Sequence, residues 1–171
     1  ENFNRKVFAF NDAIDTAVLK PVAEAYKAVV PRPVRQGSDN MLSNVGDAWA
    51  AVNHLLQGKV QRSLETMMRV GANTVFGLGG ILDPATEMGL ERQNADFGQT
   101  LGRWGVPAGP YLVLPFLGPR TVRDAAAYPL DRVTGFAYLA GDGASAYAMT
   151  ALELIHYRAG LLGTGSLLDQ I

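Results

Sequence analysis

The segment Gly105-Val-Pro-Ala-Gly-Pro-Tyr-Leu-Val-Leu-Pro-Phe-Leu-Gly-Pro119 constrains this chain more than any other. It is too apolar to be a solvent loop, and Pro115 interrupts it far short of the roughly 20 apolar residues that a membrane-spanning helix needs. Such a run either buries itself in a core or lies against something apolar without crossing it. A second apolar, glycine-rich block, Val75-Phe-Gly-Leu-Gly-Gly-Ile-Leu82, stands upstream. The pair points toward lipid before it points toward catalysis.

Composition agrees. Hydrophobic residues make up 48% of the 171, and charged residues only 18%, below the roughly 25% of an average globular protein. The mean hydropathy of +0.05 is high for a water-soluble domain. Fifteen basic residues balance sixteen acidic ones without clustering, which excludes a nucleic-acid footprint and a polybasic membrane anchor. There are no cysteines, hence no disulfide framework, thiol nucleophile or cysteine metal site. The length suits one domain, 1–171, with its own core.

Apolar residues recur at three- and four-residue steps through most of the chain, which is the helical period. Phe3, Val7, Phe10, Ile14, Val18, Val22, Tyr26 and Val29 form one stripe, with Pro21 either kinking a helix or opening a second one. Leu42, Val45, Trp49, Val52, Leu55 and Leu56 form the next, closed by Gly58 as a C-terminal cap. Val60, Leu64, Met67, Met68 and Val75 define a third, whose Gln61, Arg62, Glu65 and Arg69 are expected to face solvent. Asp83-Pro84 and Asp96-Phe-Gly-Gln99 read as helix starts. Gly98 and Gly102, four apart, allow a neighbouring element or lipid to approach closely. Short and long helices are expected near 121–128 and 145–162. No useful strand alternation is visible, so the fold class is all-α with Gly/Pro-rich connections.

No catalytic constellation emerges. His54 and His156 stand alone and are expected to be ordinary amphipathic-face residues, since a metal site requires three or four convergent ligands; neither a metal nor a cofactor is expected. Gly141-Asp-Gly-Ala-Ser-Ala146 matches the letters of a dinucleotide fingerprint but lacks the room for a βαβ unit. Ser145 lacks the closing glycine of a nucleophile elbow. Gly77-Leu-Gly-Gly80 lacks the Lys-Ser/Thr of a phosphate loop. The chain is not expected to be an enzyme.

A resemblance sharpens this reading. Asn2-Phe-Asn-Arg5, Phe8-Ala-Phe-Asn-Asp12, Leu19-Lys-Pro-Val-Ala23 and Val30-Pro-Arg-Pro-Val-Arg35 come first, followed by Leu55-Leu-Gln-Gly-Lys59 and Asn73-Thr74. Asp96-Phe-Gly-Gln-Thr-Leu-Gly102, Trp104-Gly-Val106 and Gly109-Pro-Tyr-Leu-Val-Leu-Pro115 complete the series. Together, from the first residues to about Asp131, they resemble the MlaA (VacJ) family of outer-membrane lipoproteins. The resemblance implies a ring of amphipathic helices lying in the inner, periplasmic leaflet of a Gram-negative outer membrane. A polar channel through the ring would carry misplaced phospholipid from the outer leaflet toward a soluble periplasmic carrier of the Mla system. It also implies association with a trimeric porin. The family's acylated N-terminal cysteine and C-terminal periplasmic tail are not in this sequence; the resemblance implies that the full-length protein is lipid-anchored, with the anchor and tail expected to be missing here.

Two groups of site residues follow. Tyr111, Leu112, Val113, Leu114, Phe116 and Leu117 are expected at a membrane- or porin-facing rim, with an internal core element as the alternative. Asp131, Arg132, Asp142 and Glu153, polar residues among apolar neighbours, are expected to line the channel and meet the lipid headgroup. The competing function is a soluble helical protein-interaction module, and a third reading is a lipid-cleaving enzyme.

Overall fold

The computed structural model describes residues 1–135 and 143–168, with side chains through 162. Helix α1 (Asn2–Ile14) passes through a π-helical turn (Asp15–Leu19) directly into α2 (Lys20–Val29). The wide turn lies just before Pro21, where the Lys20 amide reaches back five residues to the Asp15 carbonyl. A ring that cannot donate and that crowds the preceding turn is accommodated this way without ending the helix. Both readings of Pro21 are thus partly met: the path is continuous, with the proline in the first turn of a second segment.

After Pro31 the long α3 (Arg32–Leu56) begins, ten residues earlier than the apolar stripe suggested. It closes as expected at Gly58, whose φ of 75° suits glycine. There the Lys59 amide donates to the His54 carbonyl at 2.9 Å and the Gly58 amide to Leu55 at 2.9 Å, a paired C-terminal cap. Helix α4 (Val60–Val75) folds back along α3. Short helices α5 (Pro84–Glu87) and α6 (Phe97–Arg103) start where Asp83 and Asp96 accept the amides of Thr86 and Gln99.

The first apolar block is not helical. It forms strand β1 (Tyr111–Leu114), antiparallel to β2 (Gly118–Thr121), with Tyr111 opposite Thr121 and Leu114 opposite Gly118. The all-α expectation therefore holds for most of the chain but missed this hairpin. Helix α7 (Val122–Val133) packs on α6. Gly98 and Gly102 permit that approach: a Cβ on either would come within 2.7 Å of Asp124 Oδ1 or Arg123 Nη1 respectively. The close neighbour is α7, not lipid. Helix α8 (Gly143–Leu168) packs against α2.

The interior reverses the usual partition. Among the described residues, the buried apolar side chains are seven alanines and Val113. Asn44, Asp47, Asn53, His54, Gln57, Ser63, Thr66, Arg69, Asn73, Thr100 and His156 are buried beside them, while large apolar side chains cover the outside. On α4, Ser63, Thr66, Arg69 and Asn73 turn inward and Val60, Leu64, Met67, Met68 and Val75 turn outward. The period was right and Gln61 and Arg62 are exposed as expected, but the apolar stripe faces outward and Arg69 inward. Among the described residues, no helix is long and apolar enough to cross a membrane.

Candidate functional site

A polar interior survives folding only if its groups find partners, because an unpaired buried charge is far costlier than a paired one. Arg69 shows how this is met. Its Nε donates to Asp47 Oδ2 at 3.1 Å, Nη1 to Thr86 Oγ1 at 3.0 Å and to the Leu90 carbonyl at 2.5 Å, and Nη2 to Asp83 Oδ2 at 2.5 Å. Asn73 donates to Asp83 and accepts the Ala85 amide, both at 3.0 Å. Burial pushes the Asp83 carboxyl up, but hydrogen bonds from Thr86, Asn73 and Arg69 outweigh it and hold the group below its ordinary value. The expectation that Arg69 faces solvent is overturned: its guanidinium pins α4 to α3 and to the loop around α5.

The next layer ties α6 to α3. Thr100 Oγ1 donates to Asn53 Oδ1 at 2.7 Å and accepts from Gln57 Nε2 at 3.1 Å. Both histidines are buried, contrary to the expectation of ordinary face residues. His54 Nε2 lies 3.2 Å from the Gln93 carbonyl. His156 joins the Tyr26 hydroxyl through Nδ1 at 3.0 Å and Asp39 through Nε2. At the π-helical turn, Asp15 receives both Nε and Nη2 of Arg158 at 2.6 and 2.7 Å, and those hydrogen bonds hold its carboxyl below the usual value.

Of the expected channel residues, the structure brings Arg132 and Glu153 together. Arg132 Nη1 meets Glu153 Oε2 at 2.6 Å, linking α7 to α8, while its Nε donates to the Tyr128 hydroxyl at 2.5 Å. Arg120 stacks over the same ring, 4.5 Å from its centroid. Burial lowers the Arg132 pKa, but the Tyr128 and Glu153 contacts raise it by more, so it stays charged. Asp131 is turned elsewhere: its Oδ1 accepts from Trp49 Nε1 at 2.8 Å and from the Phe97 amide at 2.9 Å, holding α7 to α3 and α6. Asp142 lies outside the described residues.

In the hairpin, Tyr111 and Phe116 are exposed, Leu112, Leu114 and Leu117 half-buried, and Val113 buried. Val113 therefore faces the interior, and a rim here excludes it. The outer edge of β1 is closed by two asparagines of α1. Asn4 donates to the Tyr111 carbonyl and accepts the Val113 amide, each at 3.0 Å; Asn11 does the same for Leu114 and Phe116. These amides stand in for a third strand, satisfying an edge that would otherwise expose unpaired backbone groups. Sequence reasoning missed both asparagines, whose signal was their placement on the polar side of an apolar stripe.

Two polar clefts open along α3: about 350 Å³ beside Ser43, Asp47 and Arg92, and about 400 Å³ beside Gln36, Asn40 and Asp83. Among the described residues, no cluster of His, Cys, Asp or Glu is arranged to hold a metal ion. Chemically, the arrangement offers ion pairs and hydrogen bonds to a polar group that enters, within an apolar exterior.

Known proteins share this arrangement. A model of the MlaA lipoprotein family matches residues 1–171. The intermembrane phospholipid transport system lipoprotein MlaA of Escherichia coli K12 is 35% identical over 176 residues, covering 99% of this chain and 69% of that protein. An uncharacterized protein of Rickettsia typhi is 40% identical over 124 residues, covering 72% of this chain and 49% of its own length. A solved structure described as the structural basis for maintenance of bacterial outer membrane lipid asymmetry aligns with a TM-score of 0.83 at 34% identity, over 99% of this chain and 87% of that one. The aligned part of this chain thus spans about half the length of the Rickettsia relative. The chain belongs to the MlaA lipoprotein family.

Proposed function

We propose that, as a member of this family, the chain is the outer-membrane component of a phospholipid transport system that maintains lipid asymmetry. It gives the headgroup a polar route from the outer leaflet toward a periplasmic lipid carrier. The observation that carries this reading is the inverted partition: buried arginine, asparagine, aspartate and histidine beneath exposed Leu64, Met67, Met68 and Phe76. Water would charge about 25 cal/mol for every Å² of that apolar exterior left wet, whereas acyl chains cover it at no such cost.

Helices suit this setting because their backbone bonds are internal, and hydrocarbon offers no partner to a free amide. We place the helices of this single domain, 1–171, as a ring lying in the inner leaflet, held in the longer native protein by an N-terminal lipid anchor. Tyr111, Leu112, Leu114, Phe116 and Leu117 form the rim that faces lipid or a trimeric porin. Arg132 and Glu153 line the route, while Asp131 braces α7 against α3 and α6. Moving a phospholipid makes and breaks no covalent bond, so the protein works without a nucleophile.

The test is purification of the full-length, signal-bearing protein from Gram-negative membranes in mild detergent, with mass spectrometry of what accompanies it. Intact phospholipid together with a trimeric porin is the expected result. A detergent-free, monodisperse protein carrying neither would replace this reading with a soluble protein-interaction module.

A further inference from the structure

The arginines that hold the fold together are paired: Arg69 and Arg92 with Asp47, Arg123 with Asp124, Arg132 with Glu153 and Arg158 with Asp15. Other cations are left without an ion pair among the described residues, and three of these gather at one place. Lys27, Arg32 and Arg35 line a cleft of about 270 Å³ where the end of α2 and the start of α3 meet α8. Among the described residues, none of the three has a carboxylate within ion-pairing distance. Asp39 lines the same cleft but is engaged by His156, which leaves three positive charges facing one negative.

Their position makes the arrangement costly on its own. Arg32 and Arg35 occupy the first turn of α3, which contains no acidic residue, and Pro31 supplies no side-chain cap. Cations at a helix N-terminus oppose the macrodipole, while an anion there is favoured. Two arginines in that turn are therefore stabilised by a negative group, and guanidinium forks match phosphate oxygens in pairs. The floor is closed by the buried His156 and Ala159, and Gln36 adds a neutral donor at the rim. The volume is just below the roughly 300–1,000 Å³ that encloses drug-sized ligands, which suits a headgroup and not a whole lipid.

We propose that this cleft is a phosphate-group site, held by Arg32, Arg35 and Lys27. Resting on the transport reading above, its natural ligand is the phosphodiester of a phospholipid headgroup, docked at the α2–α3 elbow. Free phosphate presents the same chemistry, and the test separates the two.

The experiment titrates dihexanoyl-phosphatidylglycerol, dihexanoylglycerol and inorganic phosphate into the full-length protein in non-ionic detergent, by calorimetry. Arg32→Gln/Arg35→Gln is compared with Arg62→Gln/Arg103→Gln, which removes two exposed arginines elsewhere. Roughly tenfold weaker phospholipid binding is expected in the first variant, equivalent to about 1.4 kcal/mol, and none in the second. Dihexanoylglycerol is expected not to bind. Inorganic phosphate far weaker than the phospholipid supports the headgroup; phosphate as tight as the lipid supports a free-phosphate site and removes the headgroup assignment. Should the double variant unfold, Lys27→Gln, an exposed change at the end of α2, carries the same expectation with a smaller loss. Unchanged phospholipid binding in the charge-removed variants, or equal binding of dihexanoylglycerol, overturns the site. Copurified phospholipid in that case leaves the transport reading standing. Its absence from the wild type sinks the transport reading, and the phosphate titration still decides the cleft.

Discussion

Arg69 and Arg132 are both ion-paired arginines beneath an apolar exterior, yet they sit in opposite surroundings. The Arg69 side chain is 2% exposed and is met by two aspartates, a threonine and a carbonyl. Arg132 is 37% exposed, its partner Glu153 22%, and Tyr128, with Arg120 stacked over its ring, completes the cluster. The first is enclosed, and each of its three nitrogens is already engaged. The second pair is reachable from outside, as the proposed headgroup route requires. Buried and saturated charge serves as scaffold; half-open charge is available for function.

That contrast breaks most readily at the scaffold. Arg69→Met strands the carboxylates of Asp47 and Asp83 and is expected to cost about 3–5 kcal/mol, read as a large fall in thermal midpoint in detergent. Next, Gly102→Leu places a side chain against the Arg123 guanidinium, since a Cβ there would lie 2.7 Å from Nη1. The mobile end of Arg123 can swing aside, so the expected loss is about 1 kcal/mol, at the low end for overpacking. Unchanged stability there would mean that the Arg123 side chain relocates at no cost. Acid probes the same scaffold without mutation. The Asp83 pKa is held below its ordinary value in the folded protein. Its stabilisation is therefore complete above the unfolded pKa of about 3.9 and is lost as pH falls through the folded value. Denaturation monitored between neutral pH and about pH 2 should show a loss that Asp83→Asn diminishes. The smallest stability effect is expected at the half-open pair: Arg132→Gln should cost no more than about 1 kcal/mol, because solvent screens it, while slowing lipid transfer in a reconstituted assay. A collapse of stability with transfer intact would make Arg132 a second scaffold residue.

The sequence announced helices reliably, because a 3.6-residue period survives whichever face is buried. Asp83, Asp96 and Gly58 marked helix ends through local chemistry that needs no tertiary information. The direction of each amphipathic face was not legible: Leu64 and Met67 look like core residues and Arg69 like a solvated charge until the fold shows the first two outside and the third inside. The hairpin escaped because Tyr111 to Leu114 lacks alternation, and its edge is completed by Asn4 and Asn11, more than a hundred residues away. Arg132 and Glu153 were identified as polar residues in apolar surroundings, but their pairing depends on how α7 and α8 meet. Lys27, Arg32 and Arg35 were passed over because a dispersed charge count hides three cations gathered by a turn.

The central claim is that the apolar exterior faces acyl chains and the polar interior does not. Spin labels placed singly at Leu64, Met67 and Val52 of the full-length protein in bilayers test it, through their collisions with oxygen and with a water-soluble nickel chelate. The account predicts high oxygen and low chelate accessibility at all three, with both reagents excluded at Thr66. Strong chelate accessibility at Leu64 and Met67 in a membrane-bound protein would contradict it.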